Sequence, residues 1–139
     1  MRILAIDYGE VRTGLAITDE LGFTAQGLET IISNGQDKII LEKIDELLNI
    51  YKIGTIVVGM PLHLNGEKSK RAEITEKFIH KLKCKYNTIK IDYIDERLTT
   101  VSAHKTMNFL GINKHKKKNI VDTISAVYIL ESYLKIKKL

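Results

Sequence analysis

Ile3-Leu4-Ala5-Ile6 is an unbroken apolar run closed by Asp7, Tyr8 and Gly9. A short continuous run of this kind fits a central strand buried on both faces. Gly9 and Gly14 bracket a loop, and Leu15-Ala16-Ile17-Thr18-Asp19 predicts a second strand, hairpin partner of the first. A third short strand is expected around Phe23–Leu28, after a turn at Gly22. From Asp37 the period changes: Ile40, Ile44, Leu47, Leu48 and Tyr51 share one stripe, with Glu42, Lys43, Asp45 and Glu46 on the remaining surface. That is an amphipathic helix, which Gly54 is expected to end.

Thr55-Ile56-Val57-Val58-Gly59 predicts another fully apolar strand, stopped by Met60-Pro61. A polar loop from His63 to Glu67 leads to a second helix with Ala72, Thr75, Ile79 and Leu82 on its stripe. Ile89–Ile94 predicts a strand, and Thr99 or Thr100 an N-cap for a helix running to about Leu110, with Gly111 as its stop. A basic loop then precedes a last helix over Asn119–Leu134. The order β-β-β-α-β-α-β-α-α describes a meander extended by parallel strands, an α/β fold with a mixed five-stranded sheet and helices on both faces. With 139 residues the whole chain, 1–139, is expected to form one domain.

Composition adds a partner class. Hydrophobic residues make up 44% and charged residues 28%, an ordinary globular balance. No apolar run reaches the ~18 residues of a membrane helix. The amino terminus enters strand-like sequence at once, without the pattern of a signal peptide, and the single cysteine, Cys84, has no internal partner. Both features point to a reducing, cytoplasmic setting. The charge is uneven: residues 103–139 hold eight Lys against Asp122 and Glu131, while residues 1–102 hold 14 Lys and Arg against 15 Asp and Glu. The excess is densest at 114-KHKKK-118, with Lys114, Lys116, Lys117 and Lys118, and at 135-KIKK-138. Such clustering is the footprint of a polyanion partner such as nucleic acid; a solvated lysine-rich helix end would look the same.

Three positions carry candidate chemistry. Asp7 closes the most buried strand, where sites of open α/β sheets form, although an aspartate there also caps turns. Asp122 shares a helical stripe with Ala126, Ile129 and Tyr133, so it heads a face that should pack on the sheet. An acid in a first helical turn is favoured by the helix dipole, but the dipole does not explain its place on the buried stripe. Asp95 and Glu96 end a strand in 91-IDYIDERLTT-100, and alternation sends them to opposite faces, so one of the two can join a given site. Clustered carboxylates stay ionised around a cation, and all-oxygen ligation suits Mg²⁺ or Mn²⁺. His63, His80, His104 and His115 show no zinc spacing. A two-metal carboxylate site hydrolyses phosphodiesters. Lys68, Lys70 and Arg71, at the entry of the second helix, are placed to meet phosphates, or form an ordinary charged helix start. Neither a Walker loop nor a Rossmann fingerprint is present.

Four stretches, 6-IDYGEVRTGLAITD-19, 57-VVGMPLHLNGEKSKRA-72, 94-IDERLTT-100 and 119-NIVDTISAVYILESYL-134, resemble in order and spacing the YqgF family, also called RuvX. Holliday-junction resolution and pre-16S ribosomal RNA cleavage are both attributed to that family. The resemblance implies an RNase H-like fold and a metal-dependent nuclease maturing the 5′ end of small-subunit ribosomal RNA. It implies Asp7, Glu96 and Asp122 as catalytic, metal-binding acids, and Arg12 and Arg97 as phosphate contacts or structural partners. Related junction resolvases place their second acid on the strand equivalent to Thr55–Gly59, where this chain has Gly59-Met60-Pro61. A ribosomal RNA precursor and branched DNA stand as alternative substrates; junction resolution would ask for a homodimer with two sites. Two further readings compete. I-D-x-G-x-x-x-x-G at 6–14 also resembles the first phosphate loop of actin-like ATPases, which need a second lobe that this length does not hold. A non-catalytic ribosomal RNA-binding assembly factor needs only the basic carboxy-terminal quarter.

Overall fold

The computed structural model describes residues 1–61, 69–95 and 114–137, with 114–121 as backbone only. Its elements are β1 (Arg2–Asp7), β2 (Arg12–Thr18), β3 (Ala25–Gly27), β4 (Ile31–Ile32), α1 (Asp37–Ile50), β5 (Ile53–Met60), α2 (Lys70–Lys85), β6 (Lys90–Asp95) and α3 (Lys114–Lys137). The sheet runs β3-β2-β1-β5-β6, the five expected strands, with β4 added to it through β2. β1 and β2 form the expected antiparallel hairpin, with Asp7 opposite Gly14. β1, β5 and β6 are parallel, so Asp7, Met60 and Asp95 lie at the same, carboxyl end of the sheet.

Strand alternation divides the core into two layers. Leu4, Ile6, Leu15, Ile17, Ile56 and Val58 face α1 and α2, where they meet Ile40, Ile44, Leu47, Ala72, Phe78 and Leu82. Ile3, Ala5, Ala16, Val57 and Ile94 face α3 and pack on Ala126, Ile129, Leu130, Tyr133 and Leu134. The small residues Ala5 and Ala16 lie at the centre of the α3 side, fully buried. On that side Gly14, Ala5 and Ala16, flanked by Ile3, Val57 and Ile94, let the helix come close.

Four features differ from the sequence expectation. β5 starts at Ile53, so Gly54 lies inside the strand instead of ending α1; the helix closes at Tyr51, whose N–H bonds to the carbonyl of Leu47. The α-carbon of Gly54 faces the exposed, flexible side chain of Met1. β4 has no counterpart in the expected order; two residues are too short to show a period. Phe78, which the expected α2 stripe omits, is fully buried. The basic stretch 114–118 is helix, not loop: α3 begins at Lys114, consistent with the good helix propensity of lysine. The helix expected between Thr99 and Leu110 lies outside the described residues.

Candidate active site at the carboxyl end of the sheet

The loop after β1 is built tightly. A Cβ on Gly9 would stand 2.1 Å from the carbonyl oxygen of Arg12, so the return from β1 to β2 leaves no room for a side chain there. Thr13 closes the same turn: its hydroxyl accepts from the Gly9 N–H at 3.3 Å. Tyr8 turns its ring to the α1/α2 side and stacks on Phe78, with centroids 4.2 Å apart and planes 10° apart. Its hydroxyl donates to Asp37 at the start of α1, and Lys81 of α2 pairs with the other oxygen of Asp37 at 2.7 Å. Arg71 in the first turn of α2 reaches across to donate to the Tyr8 carbonyl at 3.0 Å. Ser69 caps that helix, accepting from Ala72 N–H and donating to the Pro61 carbonyl, which ties the helix start to the end of β5. The residue next to Asp7 is thus held by side chains from both helices.

Asp7 itself has the parity of Ile3 and Ala5 and faces α3, with 9% of its surface exposed. At its register partner Gly14 the backbone of α3 comes against the sheet. A Cβ on Gly14 would lie 2.0 Å from the carbonyl oxygen of Asp122 and 3.2 Å from the Thr123 N–H nitrogen. The backbone of Asp122 therefore rests on the residue paired with Asp7. Arg12, two positions before Gly14 on the same face, pairs through Nε with Asp122 Oδ2 at 3.2 Å. Thr123 holds the adjacent edge, its hydroxyl bonded to that of Thr30 at 2.8 Å. Because α3 starts at Lys114, Asp122 lies in its third turn, beyond the reach of the helix dipole's first turn. Its location follows from the buried stripe below it: Ala126 and Ile129 are fully buried and Tyr133 nearly so.

At the other side of the parallel strands, β6 is ordered by the same alternation. Asp92 accepts from Tyr133 Oη of α3 at 2.9 Å, and Ile94 joins the α3 core. Ile91 packs with the α1/α2 core. Asp95 has the parity of Ile91, so it belongs to the face away from Asp7 and Asp122. Glu96, Arg97 and Lys68 lie outside the described residues, as do the side chains of Lys114, Lys116, Lys117 and Lys118. Lys70 is exposed at the α2 start.

Of the expected site residues, the described structure gathers Asp7, Arg12 and Asp122 on one face, and brings Arg71 to the loop after Asp7. Among the described residues no group of three or more His, Cys, Asp or Glu is placed to hold a metal ion. Two contributors escape a reading of the sequence: Gly14 as a contact point for α3, and Tyr8 as the anchor beside Asp7. The two glycines flanking the 9–14 loop are the available signal for the first. For the second, no local pattern is available, because the stacking partner of Tyr8, the buried Phe78, is 70 residues away in sequence.

The RuvX family model, described as Holliday junction resolvase, matches residues 1–136. A protein of Ruminiclostridium cellulolyticum named "Putative pre-16S rRNA nuclease" is 54% identical over 136 residues, covering 96% of this chain and 94% of its own length. A Bacillus subtilis protein of the same name is 39% identical over 135 residues, 96% of this chain and 97% of that one. Among solved structures, Fowlpox virus resolvase with Holliday junction DNA superposes with a TM-score of 0.62 at 13% identity, covering 99% of both chains. Thermus thermophilus RuvC with a Holliday junction substrate gives 0.58 at 12% identity, over 99% of this chain and 96% of that one. At such identities the likeness is one of fold, and it bears out the expected RNase H-like α/β architecture. Among the described residues no helix is long and apolar enough to cross a membrane.

Proposed function

The chain belongs to the RuvX family, and from that premise we propose that it cleaves ribosomal RNA precursor using Asp7, Asp122 and Glu96 as the acids of a Mg²⁺ or Mn²⁺ site. It is a nuclease, a hydrolase of phosphodiester bonds. The single observation that carries the site is the Gly14 contact, which lays Asp122 beside the strand pair that ends in Asp7. Glu96 enters through the family resemblance of 94-IDERLTT-100, while Asp95, with the parity of Ile91, belongs to the face away from α3.

The donor set fits a hard divalent cation. Asp7 and Asp122 supply carboxylate oxygens, no described histidine or cysteine competes, and a carboxylate as buried as Asp7 gains from a positive neighbour. A bound divalent pair would supply an activated water and neutralise the leaving oxygen. The chain's own residues hold the frame: Tyr8, through Phe78 and Asp37, fixes the residue after Asp7; Gly14 sets the depth of α3; and Arg12 balances the charge of Asp122. Lys70 and Arg71 at the α2 start, Arg97, and the lysines at 114 and 116–118 would hold the phosphate backbone, as would Lys68. These basic positions recognise backbone and shape, not sequence.

The test uses one preparation of wild type and Asp7→Asn with precursor 16S ribosomal RNA and with a four-way DNA junction, each with Mg²⁺ or Mn²⁺. Loss of cleavage with retained RNA binding in Asp7→Asn supports the reading. Wild-type protein that binds RNA but cleaves neither substrate would replace it with the assembly-factor reading. Faster cleavage of the junction than of the RNA would favour a second reading, a homodimeric junction resolvase, which the RuvX family description favours.

A further inference from the structure

The Arg12–Asp122 pair stands where two demands conflict. Asp122 Oδ2, an oxygen a cation would need, is engaged by Arg12 Nε at 3.2 Å. We propose that Arg12 is an internal counter-ion that occupies Asp122 until nucleic acid draws the guanidinium away, so that metal loading and substrate binding are coupled. This inference rests on the metal-site reading above.

Three features support an arm that swings from a fixed base. The Cα of Arg12 is anchored, opposite Ile32 in the β2–β4 pair and next to Val11, whose carbonyl accepts from the N–H groups of Ser33 and Asn34. Its side chain is 30% exposed and that of Asp122 25%, so the contact lies at the rim of the site with solvent on one side. A guanidinium binds carboxylate and phosphate with equal facility, because its planar donors match either oxyanion. Without metal, the arginine offsets the repulsion between Asp122 and Asp7, which lie on the same face of the sheet. With metal present, a cation in the same space repels the arginine and a phosphate ester attracts it. Each ligand therefore favours the rotamer that the other needs, and linkage makes the effect reciprocal. The device keeps the site poorly loaded in the absence of substrate.

Mn²⁺ binding to the protein alone, measured by calorimetry on wild type, Arg12→Gln, Asp7→Asn and Asp122→Asn, tests the coupling. A partly exposed ion pair has modest strength, so Arg12→Gln is expected to bind Mn²⁺ about three- to tenfold more tightly than wild type, while cleaving nucleic acid more slowly. Tightening in Arg12→Gln that is absent in Arg12→Lys, which keeps the positive charge, assigns the effect to the counter-ion; equal tightening in Arg12→Lys overturns it. Arg12→Met keeps the aliphatic stem and serves as the second variant should Arg12→Gln fail to fold by circular dichroism. Mn²⁺ binding that depends on Asp7 and Asp122 but is equal or weaker without the Arg12 charge overturns the counter-ion role and leaves the metal site standing. No Asp7-dependent Mn²⁺ binding in wild type or in the Arg12 variants overturns both.

Discussion

Gly14 touches the backbone of Asp122: a Cβ at Gly14 would stand 2.0 Å from that residue's carbonyl oxygen and 2.5 Å from its carbonyl carbon. The obstacle is main chain, so no rotamer change relieves it. Gly14→Ala must lift α3 from β2 or shift the strand. Overpacking of this kind costs about 1–3 kcal/mol. The expected outcome is a lower urea midpoint, together with a fall in cleavage larger than the stability loss explains at temperatures where the variant is folded. Unchanged activity would mean that the depth of Asp122 does not matter to the site.

Tyr8 is the second mechanical element. Tyr8→Phe keeps the stack on Phe78 and removes the hydrogen bond to Asp37. Leaving the Asp37 oxygen without that donor costs about 1.5–3 kcal/mol, the range for a hydrogen bond to a charged group, while Lys81 keeps its pair with the other oxygen. Phe78→Ala removes the stack and opens a fully buried volume, for which about 3–5 kcal/mol is expected. Chemical denaturation of both variants checks the order: Phe78→Ala must be the more destabilised.

Alkaline pH acts on three tyrosines in the same direction. Burial first, and hydrogen bonding to Asp37, Asp45 and Asp92 second, raise the hydroxyls of Tyr8, Tyr86 and Tyr133 above the ordinary value, Tyr133 to about 12. The folded state thus keeps protons that the unfolded state releases near pH 10. The contribution is fully present below pH 10 and is lost as pH rises through the folded-state values. Urea midpoints are expected to be insensitive to these groups between pH 8 and 9 and to fall from pH 10 upward. Tyr133→Phe should make that fall shallower; an equally steep fall would remove Tyr133 from the account.

Salt reports on the basic quarter. If Lys116, Lys117 and Lys118 hold phosphates, replacing all three with Ala weakens binding to RNA and to DNA alike. It also reduces the slope of log affinity against log salt, by about 0.7–0.9 for each phosphate that is no longer neutralised. Fluorescence anisotropy over a salt series measures both. A weaker affinity with an unchanged slope would assign the lysines to the stability of the start of α3 instead.

Much of the molecule is legible from patterns within single segments. The apolar runs at Ile3–Ile6 and Thr55–Gly59 and the stripes of α1 and α2 depend on neighbours two to four residues apart, and the structure places them as those patterns predict. Differences gather where the local pattern is silent or ambiguous. Two-residue β4 has no period. Lysines at 114–118 suggest a charged loop because polarity does not distinguish a solvated loop from a helix that lacks a buried face. Gly54 suggests a stop because glycine weakens a strand interior and is more often found where an element ends.

The candidate site divides along the same line. Sequence by itself determined that Asp7 ends a buried strand and that Asp122 heads an apolar helical stripe, since each statement needs only the two- or 3.6-residue repeat. Only the tertiary structure decided that α3 rests on Gly14, that Arg12 pairs with Asp122, 110 residues away, and that Asp92 and Ile94 turn towards α3. Those contacts are set by where a helix docks on a sheet. Docking depends on the size of facing side chains from distant segments, here the absence of one at Gly14, which no periodicity within either segment encodes.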